Sequence, residues 1–364
     1  MPKQSVSKIV VNASALRSGG ALSILQQFVK EVPDDGHEYL IFVDESVKLQ
    51  YTQDNIQIVP VNVISFRKRF AWDAFGLKKW LREHNILPLL SISLQNTNFR
   101  LDTSCPNYVY YHQPLPIYKN NWNLLRKEER ILWFYKHIYP FFVNMFIRSN
   151  TEIFVQLEFI KKGFAHRYHF NKDSIHVVFP SVEIPLSQTE LNIDLDGNTV
   201  KIFYPAAALV YKNHQVLFEA LSQIDSRLDS KVILYLTNSA NEFEIKQAYK
   251  NVQIVFLGKI NHEEVIWLFN HVDALVFPSY IETLGLPLIE AASFGLPVVA
   301  SDLPYAREVL HGYEGVTFVD YKDAASWGMK MLDIPLLKGK RYKSFIREDV
   351  KSWKYFFEVI KKSL

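Results

Sequence analysis

The amino-acid sequence predicts an α/β protein of two doubly wound domains, each a parallel sheet flanked by helices. Three observations carry that prediction. Short runs rich in Val, Ile, Tyr and Phe alternate with segments whose apolar residues recur at helical spacing, the mark of βαβ units. At 364 residues the chain is long for one core and suits two domains of roughly 150–180 residues. Between residues 180 and 199, "PSVEIPLSQTELNIDLDGNT", the alternation lapses into prolines and polar residues, as an interdomain linker would. The expected limits are 1–179 for the first domain, 180–199 for the linker and 200–353 for the second domain.

The elements follow in order. "KIVVNAS" (8–14) is a strand, and after the Gly19-Gly20 pair Leu22, Leu25, Phe28 and Val29 recur at helical spacing. Gly36 stops that helix and "HEYLIFVD" (37–44) is the next strand. "IQIVPV", "AFGLKKWLREH", "LLSIS" and "NYVYYHQP" continue the pattern. Residues 122–150 read as a long basic and aromatic helical stretch interrupted at Pro140, followed by the strands "EIFVQ" and "IHVVFP". After the linker, "VKIFYPA", "KVILYLT", "VQIVFLG", "DALVFPS", "LPVVAS" and "GVTFV" are strands. Between them "NHQVLFEALSQI", "NEFEIKQAYK", "NHEEVIWLFNH", "PLIEAASFG" and "YAREVLHG" are helices.

Composition narrows the class. With 48% hydrophobic, 14% aromatic and 22% charged residues the chain is a folded globular protein. The single cysteine, Cys105, excludes an intrachain disulfide and a cysteine-based zinc cluster. The N-terminus has too short an apolar run for a signal peptide and no 18-residue apolar span occurs, so a cytoplasmic protein is expected. Residues 1–180 carry 22 Lys/Arg against 15 Asp/Glu, whereas the remainder carries 19 against 23. That asymmetry suggests a first domain that meets an anionic surface or ligand, with an ordinary solvated face as the bland alternative. No nucleic-acid-binding motif accompanies the charge, so nucleic acid is not an expected partner.

The most informative stretch is "FPSYIETLGLPLIEAASFGLPVVAS" (277–301). A strand ends, Pro287 sits where a helix begins, and Gly295 and Pro297 stop that helix before the next strand. The "ETLGL" turn therefore lies at a strand's carboxyl end and a helix N-terminus, a place suited to a diphosphate. Gly285 allows close backbone approach. Glu282 and Glu290 would accept hydrogen bonds from hydroxyls on either side. The competing reading is a stabilised first helical turn and a solvated acid.

This stretch resembles the E-x7-E signature of the retaining glycosyltransferases of family 4 (glycosyltransferase group 1), which have the GT-B fold. Residues 252–310 follow the family pattern nearly throughout, while "SGGALSILQQFVKEVPDDGHEYLIFV" resembles its first glycine-rich turn and helix. "KNHQVLFEAL" resembles the stretch opening the second domain, and "FPSVE" the interdomain hinge. "DVKSWKYFFEVIKKSL" resembles the terminal helix, 354–364, that packs back on the first domain. The resemblance implies two Rossmann-like domains facing across a cleft. It implies a donor site in which Glu290 binds the nucleotide ribose and Glu282 sits at the donor sugar. Thr283, Leu284, Gly285 and Leu286 line the phosphates and sugar, and Lys212 is the diphosphate cation. Gly19 and Gly20 bring the first domain's backbone to the reacting centre, or else form a plain tight turn. His112, after "YVYYH", would hydrogen-bond a hydroxyl or carbonyl or act as a general base, or else be a structural histidine at a strand end.

Two departures stand out. Ala207 occupies the place where the family usually carries an arginine, so a diphosphate contact is absent or comes from elsewhere. "LYLTNSAN" (234–241) lacks the family's glycine-rich turn, which leaves Thr237 and Asn238 as weak candidates for base or phosphate contact.

The expected activity is a metal-independent, retaining, hexosyl-type transfer from a nucleotide-diphosphate sugar to an acceptor hydroxyl. No cofactor is expected. The acceptor suggested is a lipid-linked glycan in bacterial surface polysaccharide (O-antigen or capsule) assembly. Residues 131–148, with Arg126, Lys127 and Arg130 before them, have the aromatic and basic character of a membrane-interface segment, which would place the protein at the inner face of the cytoplasmic membrane. A buried helix is the competing reading. A nucleotide-sugar epimerase of the same architecture and a catalytically silent glycosyltransferase-like subunit also stay open. "DLD" (194–196) reads as a surface loop, and "HRYH" (166–169) lacks the companion ligands of a metal site.

Overall fold

The computed structural model describes residues 7–180, 191, 193, 198–245 and 247–364. Most of the expected linker, including 194–196, lies outside the described residues. The chain divides into two compact units, Met1–Ser181 with Asp349–Leu364, and Val182–Glu348.

The first unit is a seven-stranded sheet of order β3-β2-β1-β4-β5-β6-β7. Its strands are β1 (Lys8–Asn12), β2 (Glu38–Asp44), β3 (Ile56–Val61), β4 (Pro88–Ser93), β5 (Asn107–Tyr111), β6 (Thr151–Val155) and β7 (Ile175–Val177), and all pair in parallel. The strand order reverses between β1 and β4, the switch point at which open α/β sheets bind ligands. Its helices are α1 (Gly19–Glu31), α2 (Phe66–Ala71), α3 (Leu77–Glu83), α4 (Arg130–His137), α5 (Tyr139–Asn144) and α6 (Glu158–Tyr168). Successive residues of β1 face opposite sides, so Ile9 and Val11 join the core under α1 while Val10 joins that under α3.

The second unit is a six-stranded sheet of order β10-β9-β8-β11-β12-β13, again all parallel. Its strands are β8 (Val200–Tyr204), β9 (Val232–Leu236), β10 (Val252–Phe256), β11 (Ala274–Phe277), β12 (Val298–Ser301) and β13 (Val316–Val319). Its helices are α7 (His214–Ile224), α8 (His262–His271), α9 (Leu286–Ser293), α10 (Pro304–Val309) and α11 (Ala324–Asp333). The chain then returns to the first unit as α12 (Trp353–Lys361). There Trp353 is fully buried, stacks on Tyr110 at 5.2 Å between ring centroids, and donates its indole N–H to Gln27 Oε1 at 3.0 Å.

Three local expectations need correction. The described residues of "NEFEIKQAYK" form no α-helix. A single 3₁₀ turn, Ala240–Glu242, gives way to extended backbone at Phe243. That ring packs against His214, Phe218 and Phe256 at centroid distances of 4.7, 5.4 and 6.0 Å, so burial overrides helix propensity. The helix read at "AFGLKKWLREH" starts earlier, at Phe66, because Ser65 Oγ accepts from Lys68 N–H, and it passes through a π turn at Trp72–Gly76. The long stretch 122–150 forms two short helices, α4 and α5. Before them, turns are held by Asn123 Oδ1 accepting from Leu125 N–H and Glu129 Oε2 from Asn123 N–H.

Candidate functional site

In the second unit the strand order reverses between β8 and β11, and the loops that follow these two strands build the site. After β11 the backbone turns at Gly285, the residue capping α9, with φ +77°. A Cβ there would lie 3.3 Å from Leu288 Cδ1 and 3.4 Å from Tyr305 Cε2, so the turn requires glycine on two counts. Tyr305 donates its hydroxyl to the Ser279 carbonyl at 2.6 Å and fixes the loop from beneath. Leu284 is buried, Thr283 and Leu286 are half-buried, and the first turn of α9 follows directly, with Pro287 carrying no N–H and Leu288 N–H donating to the Gly285 carbonyl at 2.9 Å. The positive end of the helix is thus presented beside Glu282.

After β8 the chain makes a 3₁₀ turn, Val210–Lys212, and Asn213 takes a left-handed conformation to start α7. Hydrogen bonds join this turn to β8, to the loop after β11 and to the loop after β13. Tyr204 donates to the Lys212 carbonyl at 2.6 Å, and Tyr280 N–H to the Tyr211 carbonyl at 2.9 Å. Asn213 Nδ2 donates to the carbonyls of Tyr321 at 2.7 Å and Pro278 at 3.3 Å. The result is a close ion pair, Lys212 Nζ donating to Glu282 Oε1 at 2.5 Å, with side chains only 17% and 13% exposed. Neither charge is fully solvated, so each depends on the other or on a ligand group that takes its place. Ala207, where a second cation was expected, is exposed in the loop after β8.

Glu290 lies in α9 and is 5% exposed. Its Oε1 meets His262 Nε2 at 2.8 Å, and that bond raises the imidazole pKa above its ordinary value despite partial burial. The sequence reading missed His262, although a signal was present. In "NHEE" Asn261 and Glu264 form a capping box, which makes His262 the first residue of α8, at the carboxyl end of β10. Asn238, the weaker candidate after β9, is buried, and its Oδ1 has no hydrogen-bond partner among the described residues.

Gly19, Gly20 and His112 belong to the first unit. Gly19, at φ +57°, and Gly20 open α1 after β1, both exposed, and a Cβ on either would meet nothing within 4 Å. His112 follows β5 on the same sheet edge. Its Nε2 meets the Leu94 carbonyl at 3.1 Å, its N–H donates to Asn96 Oδ1 at 2.5 Å, and burial pushes its pKa down to about 4. A pKa depressed this far leaves the ring neutral at pH 7 and makes it a weak base. On the same edge lies a buried network around Asp73, whose Oδ1 accepts from Asn12 Nδ2 and Gln95 Nε2, both at 2.8 Å. Burial raises Asp73 to about 6, against the opposing influence of Arg69. Among the described residues no three His, Cys, Asp or Glu side chains are grouped to hold a metal ion.

Two Rossmann-like parallel sheets in separate units, with paired acids and a lysine at the switch point of the second, define a GT-B protein. Residues 190–348, most of the second unit, match the family model described as glycosyl transferases group 1. The O-antigen chain mannosyltransferase RfbU of Salmonella typhimurium is 25% identical over 207 residues, 56% of this chain and 56% of that one. A D-inositol 3-phosphate glycosyltransferase of Corynebacterium efficiens is 28% identical over 187 residues, 45% of this chain and 43% of that one. The matched part of the chain thus spans about half the length of these curated relatives. Among solved structures, WaaG, a glycosyltransferase involved in lipopolysaccharide biosynthesis, superposes with a TM-score of 0.62 and 15% identity, covering 92% of each chain. That likeness speaks for the fold alone.

Proposed function

We propose that this protein is a retaining glycosyltransferase that moves a hexosyl group from a nucleotide-diphosphate sugar to an acceptor hydroxyl. The observation that carries the reading is the partly buried Lys212–Glu282 pair beside the N-terminus of α9, with Glu290 in the same helix, in the stretch that matches the group 1 glycosyl transferase model. Lys212 and the helix end stabilise the departing diphosphate, a preorganised electrostatic role. Glu290 accepts hydrogen bonds from the ribose hydroxyls and Glu282 from the donor sugar. The bond from the anomeric carbon to the phosphate oxygen breaks as the acceptor oxygen attacks from the same face. The departing phosphate takes the acceptor proton. No protein nucleophile and no divalent metal is needed in this scheme, so activity is expected to persist in excess EDTA.

The name of the Salmonella relative supports an acceptor of the O-antigen kind, a lipid-linked glycan met at the cytoplasmic face of the membrane. Exposed Ile131, Ile138 and Phe141, beside basic Arg126, Lys127 and Arg130, fit a peripheral contact there. Among the described residues no helix is long and apolar enough to cross a membrane.

The decisive variant is Glu290→Gln, which keeps the shape of the side chain and removes its charge. Transfer should fall by roughly two orders of magnitude, as for loss of a charged contact to a bound group, with the circular dichroism spectrum unchanged. Wild-type turnover in that variant sinks the assignment. A thermal-shift screen across nucleotides and nucleotide sugars identifies the donor, because bound ligand stabilises the fold by mass action.

A further inference from the structure

The first unit also carries an open groove of about 740 Å³ along α2, the π turn and α3. Lys68, Trp72, Phe75, Lys79 and Arg82 recur every three or four positions there, so they share one helical face. Lys78 and Arg100 complete the basic lining. Leu77 and Leu81 point the other way, into the core with Phe42 and Val10.

The floor is built by packing. The Trp72 ring lies against Phe42, with centroids 5.4 Å apart, and over Gly76, where a Cβ would meet its Cε3 at 2.6 Å. Glycine at 76 is therefore what lets the indole lie flat beside the exposed Phe75. The loop carrying Arg100 is tied to the helix by its N–H donating to the Asp73 carbonyl at 2.8 Å.

The charge in this groove is unbalanced. Lys78 and Arg82 share one carboxylate, Asp102, and Lys79 has only a loose, exposed pair with Glu83 at 3.7 Å. Among the described residues Lys68 reaches only the neutral Asn62 Oδ1, and Arg100 has no ion pair. Like charges held along one face repel unless an anion joins them, and an unpaired guanidinium is suited to bidentate contact with phosphate.

We propose that this groove binds a phosphate-bearing ligand, with Lys68 and Arg100 on the phosphate oxygens and Trp72 and Phe75 under its carbon skeleton. A soluble phosphate ester and an anionic lipid headgroup share that chemistry. None of these residues belongs to the Lys212–Glu282–Glu290 site, so the groove stands or falls independently of the donor reading.

The test uses the full chain carrying Lys212→Ala, so that diphosphate affinity at the second unit does not mask the groove. Inorganic pyrophosphate is titrated calorimetrically, and flotation is measured with vesicles of phosphatidylcholine containing phosphatidylglycerol. The pair Lys68→Glu with Arg100→Glu is compared with Lys162→Glu with Lys172→Glu, the same charge change at exposed positions of the same unit outside the groove. All four side chains lie on the surface or in open loops, so folding is retained. Loss of two charge-assisted contacts should weaken binding at least about tenfold in the groove variant, and less than about twofold in the off-groove variant, whose effect is only long-range and screened. Weakened pyrophosphate binding identifies a soluble ester; weakened vesicle binding without pyrophosphate binding identifies a headgroup. Equal effects in both variants, or binding of neither probe, overturn the proposal.

Discussion

Glu290 is nearly buried, and among the described residues its carboxylate has one side-chain partner, His262. In the proposed site His262 acts by holding Oε1 and leaving the other oxygen oriented for a ligand hydroxyl. His262→Ala removes that donor and should weaken nucleotide-sugar binding roughly tenfold, as a hydrogen bond to a buried charge implies. His262→Gln, which retains an N–H donor, should recover part of the loss by calorimetric titration, whereas equal losses would leave His262 without a positioning role. Residue-scale titration also shapes stability. Burial pushes His112 and His214 from 6.5 down to about 4, so the stability they contribute is present above pH 6.5 and is lost as pH falls towards 4. Asp73 has the opposite sign. Its pKa is raised from 3.8 to about 6, so its contribution is present below 3.8 and is lost as pH rises through 6. The melting temperature should fall on acidification from pH 6.5 to 4, and fall more steeply in Asp73→Asn, where the opposing contribution is gone.

At the scale of elements, α9 and α12 show how local sequence and packing share control. The "LGLP" turn makes the start of α9 readable, because a left-handed residue followed by proline cannot continue a strand. Gly285→Ala should cost ~1–2 kcal/mol from backbone strain and disturb the loop bearing Glu282, both measurable by chemical denaturation and donor titration. The return of α12 to the first domain was expected from the family resemblance, but not which residues it covers there. Trp353 fills a space among Phe28, Tyr110 and Phe356. Trp353→Ala should lower stability by ~3–5 kcal/mol, in line with deletion of a buried aromatic. The segment 241–250 shows the opposite case. Its residues favour helix, yet Phe243 is worth more to the fold against His214 and Phe256 than one further helical turn. Likewise the π turn at Trp72–Gly76 left no mark in periodicity, since one inserted residue shifts a helical face without breaking it.

At the scale of the molecule, two units with separate cores share one chain, and the last sixteen residues, Asp349–Leu364, belong to the first. Removing that segment exposes Phe28 and Tyr110 and should lower the unfolding transition of the first unit while leaving the second in place. Nucleotide addition should raise only the second transition, and a scanning calorimeter separates the two.

By itself the sequence determined the two α/β units, the parallel sheets, and the turn and helix that carry Glu282 and Glu290. These depend on local rules: period, glycine and proline placement, and strand runs short enough to be buried on both faces. Only the tertiary structure decided that Lys212 closes on Glu282, that His262 holds Glu290, and that Asp73 gathers Asn12, Gln95 and Arg69. Those partners are 70, 28 and up to 61 residues apart. No local pattern records such pairings, because each joins segments distant in the chain that only the folded sheet order brings together.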